Sequence, residues 1–64
     1  MKPYFSNSGA WVQFERLGIP SGDYLVTLYA PNDNSHDRIR CDTYSNAQAY
    51  FKSFKAIAKN WGKS

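Results

Sequence analysis

His36-Asp37-Arg38-Ile39-Arg40-Cys41-Asp42-Thr43 runs directly into Tyr44-Ser45-Asn46-Ala47-Gln48-Ala49-Tyr50-Phe51-Lys52-Ser53-Phe54-Lys55-Ala56-Ile57-Ala58-Lys59-Asn60-Trp61. In the first eight residues Ile39, Cys41 and Thr43 fall on one side, with Arg38, Arg40 and Asp42 on the other. That is the two-residue period of a strand. From Ser45 onward the apolar positions are Ala47, Tyr50, Phe51, Phe54, Ile57, Ala58 and Trp61, at helical spacings of three and four. Ser45 followed by Gln48 is a capping-box pattern. Asn60 and Gly62 supply a stop. The spacing predicts a helix over about 46–60, placed directly after a strand.

Upstream, the period of two persists. Tyr24, Val26, Leu28 and Ala30 share one side of the stretch 24–30, and Leu25, Thr27 and Tyr29 the other. In 10–17, Ala10, Val12 and Phe14 oppose Trp11, Gln13 and Glu15. Gly18-Ile19-Pro20-Ser21-Gly22-Asp23 and Pro31-Asn32-Asp33-Asn34-Ser35 are dense in turn formers. Residues 1–8 read as an arm, or at most a short edge strand around Tyr4 and Phe5. The expected fold is α+β, one domain over 1–64: a three-stranded antiparallel meander over 9–44 and one amphipathic helix over 45–61, packed on one face. The core would be Val12, Phe14, Val26, Leu28, Ile39 and Cys41 against Tyr50, Phe51, Phe54, Ile57, Ala58 and Trp61.

Size and composition exclude several function classes. Sixty-four residues make one thin core and leave no room for a cofactor domain. No apolar run approaches the roughly 20 residues of a membrane span, and none follows Lys2 as a secretory signal would require. One Cys and one His cannot assemble a four-ligand zinc site, and one Cys forms no internal disulfide. No cofactor or metal is expected, and the expected setting is a reducing cytoplasm. Eleven aromatic rings and a net charge of +3 fit a folded chain rather than a disordered one. There is no glycine-rich phosphate loop. His36 and Cys41 are five residues apart on one strand, so alternation sends them to opposite faces and forbids a nucleophile pair. No enzyme is expected.

Charge is unevenly placed. Residues 1–44 hold four basic residues against five acidic ones, whereas 45–64 hold Lys52, Lys55, Lys59 and Lys63 and no acid. On a helical wheel this stripe falls almost opposite the predicted apolar face. It is either a solvated helix back or a phosphate-facing stripe formed by Lys52, Lys55 and Lys59.

One helix covers one face of the sheet. The other face would carry Trp11, Gln13, Leu25, Thr27, Tyr29, Arg38 and Arg40, together with Glu15 and Asp42. Trp, Tyr and Arg are the residues enriched at interface hot spots. Arg38 and Arg40, two apart on a strand, project side by side toward phosphates, base edges or carboxylates. Either this face binds a partner, or Tyr4, Phe5 or a second copy of the chain covers it.

Two resemblances bear on these alternatives. Over residues 38–51, Cys41-Asp42-Thr43 leads into a helix bearing Ala47 and Phe51. This resembles the plant AP2 and phage-integrase arm-binding class of DNA-binding domains in its spacing of Thr, Ala and an aromatic. The resemblance implies a sheet entering the major groove with Trp11, Arg38 and Arg40, although Ile39-Arg40 stands where that class has Leu-Gly. From Arg40 to Phe54, a strand followed by a helix capped at Ser45 and Gln48 resembles small anti-CRISPR proteins of phages and mobile elements. That likeness implies an inhibitor that occupies the surface of a larger protein or nucleoprotein complex. The expectation is therefore a non-enzymatic binding protein, with a DNA-binding module as the alternative.

Overall fold

The computed structural model describes residues 2–18 and 22–62. Ile19, Pro20 and Ser21 of the first predicted turn, and Lys63 of the lysine stripe, lie outside the described residues. The elements are β1 (Tyr4–Phe5), β2 (Trp11–Arg16), β3 (Tyr24–Tyr29), β4 (Ser35–Cys41) and α1 (Tyr44–Lys59). The strands pair antiparallel in the order β1-β2-β3-β4.

The class is the expected α+β, but the sheet has four strands rather than three. β1 is two residues long, too short to show a period in sequence. Its return onto β2 is built by the turn 6–9. Ser6 N–H donates to the Ala10 carbonyl and Gly9 N–H to the Ser6 carbonyl, both at 3.1 Å. Gly9 takes φ +95°, a conformation that side chains with a Cβ resist. The Ser6 and Ser8 hydroxyls then donate to the Ala58 carbonyl at 3.0 and 2.7 Å, pinning this turn to the last turn of α1.

The core lies between the sheet and α1. Ala10, Val12, Val26 and Leu28 are fully buried from the sheet side, with Cys41, against Ala47, Phe51, Phe54 and Ala58. Phe14, Ile39 and Trp61 pack against this cluster half-buried, as do Tyr4 and Tyr24. Two expected core residues are not in it: Tyr50 is 43% exposed and Ile57 44%. Ala47, Phe51, Phe54 and Ala58 span only about 60° of helix circumference, at about 100° per residue. Tyr50 and Ile57 fall roughly 70–90° to one side of that stripe. The two alanines present little bulk to the sheet, so the contact stripe stays narrow.

The same geometry moves the lysines. Lys52, Lys55 and Lys59 lie on average about 100° from the centre of the core stripe, on a lateral flank and not opposite the buried face. That flank stands over β1. Lys55 is half-buried, its Nζ 5.3 Å from the centre of the Tyr4 ring and 5.6 Å from that of Phe51.

The start of α1 also differs. Thr43, not Ser45, is the N-cap: its hydroxyl accepts the Asn46 amide at 3.2 Å. Ser45 lies exposed within the first turn. At the other end α1 stops as expected, with Asn60 as C-cap.

Candidate binding face of the sheet

Strand register arranges the uncovered face in three rows. Phe5 lies opposite Trp11, and Trp11 opposite Tyr29. Gln13 pairs with Thr27 and Thr27 with Arg38. Glu15 pairs with Leu25 and Leu25 with Arg40. All seven residues predicted from alternation therefore share one face: Trp11, Gln13, Leu25, Thr27, Tyr29, Arg38 and Arg40. Phe5, 68% exposed, belongs to it too. Sequence reasoning missed this residue as a site member, because only the register with Trp11 places it there.

The first row is a stack. The Trp11 and Tyr29 rings lie 4.2 Å apart at 12°, and Phe5 and Trp11 5.3 Å apart at 21°. Trp11 is sandwiched, so both of its ring faces are occupied. Its indole N–H donates to Asp33 Oδ1 at 3.0 Å, and the Tyr29 hydroxyl donates to Gln13 Oε1 at 3.2 Å. Polar tips tied down in this way hold the rings in place. The N-terminal segment does not fold over the face. Tyr4 turns to the helix side, under Lys55, and Phe5 lengthens the ridge by one ring.

Within the second row, Thr27 is 1% exposed. It belongs to the face by register but offers a partner no surface.

The two arginines differ in their surroundings. Arg40 Nε pairs with Asp23 Oδ2 at 2.8 Å, with the Arg40 side chain 59% exposed. Arg38 is exposed and makes no ion pair among the described residues. Its backbone N–H donates to the Asp37 carboxylate at 2.8 Å. Glu15 on the same face, Asp33 on the Trp11 indole and Asp23 on Arg40 offset the two cations, so the face carries no excess of positive charge.

His36 and Cys41 are not on opposite faces as alternation suggested. A register shift at Leu28/Tyr29 sets Tyr29 opposite Ser35 and Leu28 opposite Asp37, leaving His36 as the extra residue. His36 rests edge-on against Trp61, 4.7 Å between ring centres, on the helix side. Cys41 is buried under the helix at the far end of β4, roughly 17 Å of strand away. Burial, and secondarily the Asp42 carboxylate, push its thiol pKa up, which disfavours the thiolate. Among the described residues no three His, Cys, Asp or Glu side chains group as a metal site. Among the described residues no helix is long and apolar enough to cross a membrane.

No family model matches the chain, and neither curated proteins nor solved structures show a significant match to it.

Proposed function

We propose that this chain is a non-enzymatic binding protein that blocks a larger protein or nucleoprotein complex by docking its uncovered sheet face, in the manner that the likeness of residues 40–54 to small anti-CRISPR proteins implies. The observation that carries this reading is the Phe5–Trp11–Tyr29 ridge, stacked and tethered on a face that no element among the described residues covers. Rings already fixed lose little freedom on binding, so their burial converts efficiently into affinity.

Three features favour a protein surface over nucleic acid at this face. A base-stacking platform needs free ring faces, and those of Trp11 are taken by its neighbours. The face is balanced in charge, whereas a duplex-binding face carries surplus cations. The arginines stand on β4 and the lysine flank over β1, at opposite edges of the sheet. Three strand spacings, roughly 14 Å, plus the thickness of the domain separate them, so one duplex does not readily meet both.

The test pairs two measurements. Amide NMR of the labelled chain is followed while a mixed-sequence DNA duplex is added at low and at physiological salt. Shifts at Gln13, Arg38 and Arg40 that persist at physiological salt would replace this reading with the DNA-binding one. In parallel, the tagged chain is purified with its bound partners from expressing cells, and the affinity of the recovered partner is measured. Trp11→Ala and Tyr29→Ala should each weaken it by more than about 2 kcal/mol, while Lys52→Gln and Lys59→Gln leave it unchanged. A chain that sediments as a dimer until Trp11 is changed would mean the ridge is a self-interface instead.

A further inference from the structure

The helix flank over β1 forms a second surface. A groove of about 440 Å³ runs between α1 and β1, lined by Lys2, Tyr4, Gln48, Phe51, Lys52 and Lys55. Lys59 continues the line beside Tyr4 and Phe5. Along the helix axis, residues 52, 55 and 59 are separated by about 4.5 and 6 Å, so three ammonium groups follow a line about 10 Å long. Lys2 adds a fourth from the β1 side.

Among the described residues no acidic group pairs with this line. α1 carries no acidic residue, and the one ion pair among the described residues joins Arg40 to Asp23 at the opposite edge of the molecule. Lys55 is held in place by the Tyr4 and Phe51 rings, which keep its charge at the groove without a competing carboxylate.

We infer that the α1/β1 groove takes the phosphate backbone of a nucleic acid, independently of sequence. Lysine ammonium groups are point charges without the forked geometry that selects carboxylates. A line of them gains most from a continuous line of phosphates, which releases its condensed counterions on binding. An acidic peptide would have to rely on charge alone. β1 offers only two residues of strand edge, too few to add a strand by main-chain pairing. This inference stands apart from the docking proposal, because it uses different residues.

The test is fluorescence anisotropy of a labelled mixed-sequence single strand of about 20 nucleotides, titrated with the protein over a series of salt concentrations. Three to four lysine–phosphate contacts predict a slope of log K against log[salt] of about −2 to −3. Lys52→Gln with Lys55→Met should flatten it by about 1.4, whereas Arg38→Gln should leave it unchanged. Methionine keeps an apolar stem against Tyr4, and circular dichroism verifies that the variant is folded. Three results would overturn the inference: no binding at the lowest salt, a slope indifferent to the lysine changes, or equal competition by a polyglutamate peptide or by anionic vesicles. Failure of the docking proposal would instead appear in the Trp11 and Tyr29 variants, which this assay does not use.

Discussion

Thr43 sits extended at φ −130° and ψ 151°, and its hydroxyl closes the first turn of α1 by accepting the Asn46 amide. Thr43→Ala should cost about 1 kcal/mol in urea denaturation, while Ser45→Ala should change stability by less than about 0.5 kcal/mol. The reverse result would return the cap to Ser45. The sequence offers both hydroxyls within three residues, and only the backbone angles choose between them. Thr27 is a similar case. Alternation puts it on the correct face, but its burial depends on how its neighbours lean, which no period encodes. At Cys41 the raised thiol pKa has a definite sign. Above about pH 9 the unfolded chain releases the thiol proton while the folded chain retains it. Stability is therefore full below that pH and falls as pH rises through the folded value. Comparing alkaline denaturation of the native chain with Cys41→Ala isolates this contribution: the variant's stability should fall less steeply with pH. Equal slopes would show that the thiol is not shielded.

At the scale of elements, the strands with four or more alternating residues were legible outright, and the shortest only as one of two alternatives, an arm or a short edge strand around Tyr4 and Phe5. The alternation of Ala10, Val12 and Phe14, and of Val26 and Leu28, assigned the two faces of β2 and β3 directly. β1 depends on a turn whose signal is a single glycine and two serine hydroxyls. Gly9 has two reasons to stay glycine. Its φ is +95°, and a Cβ there would meet Pro31 Cβ at 3.1 Å. Gly9→Ala should destabilise the fold by at least about 1 kcal/mol, with amide exchange rising first at Phe5 and Trp11 as β1 detaches. Gly62→Ala, also at positive φ but in open space, supplies the comparison for backbone strain alone. In α1 the helical period was correct, but its width was overestimated. Counting Tyr50 and Ile57 as core drew the apparent centre of the apolar face away from the lysines, so a lateral flank read as the helix back.

At the scale of the whole molecule, the open edge of the sheet carries features that oppose pairing with a second copy. Among the described residues no strand lies beyond β4, which is seven residues long. The Arg38 N–H is already taken by the Asp37 carboxylate. Two-fold antiparallel pairing with a second copy also meets like charges in each central register. Centred on Ile39 it sets Arg38 against Arg40 twice, centred on Arg38 it sets that residue against itself, and centred on Asp37 it does the same for the carboxylate. Native chains should therefore sediment as monomers. The double change Arg38→Thr and Arg40→Thr, which keeps strand propensity and removes both charges, should promote association that grows with concentration. A monomeric double variant would show that the arginines do not guard this edge.

The Ser6 and Ser8 hydroxyls reach the Ala58 carbonyl across 52 and 50 residues of chain. During vectorial synthesis the sheet segments leave the ribosome well before the helix that shields them. Val12, Val26 and Leu28 would then face water, or a chaperone, until residue 58 has cleared the exit tunnel. Closure of the domain thus waits on the C-terminal helix. A ribosome stalled before that point would present a strand-rich, unshielded intermediate.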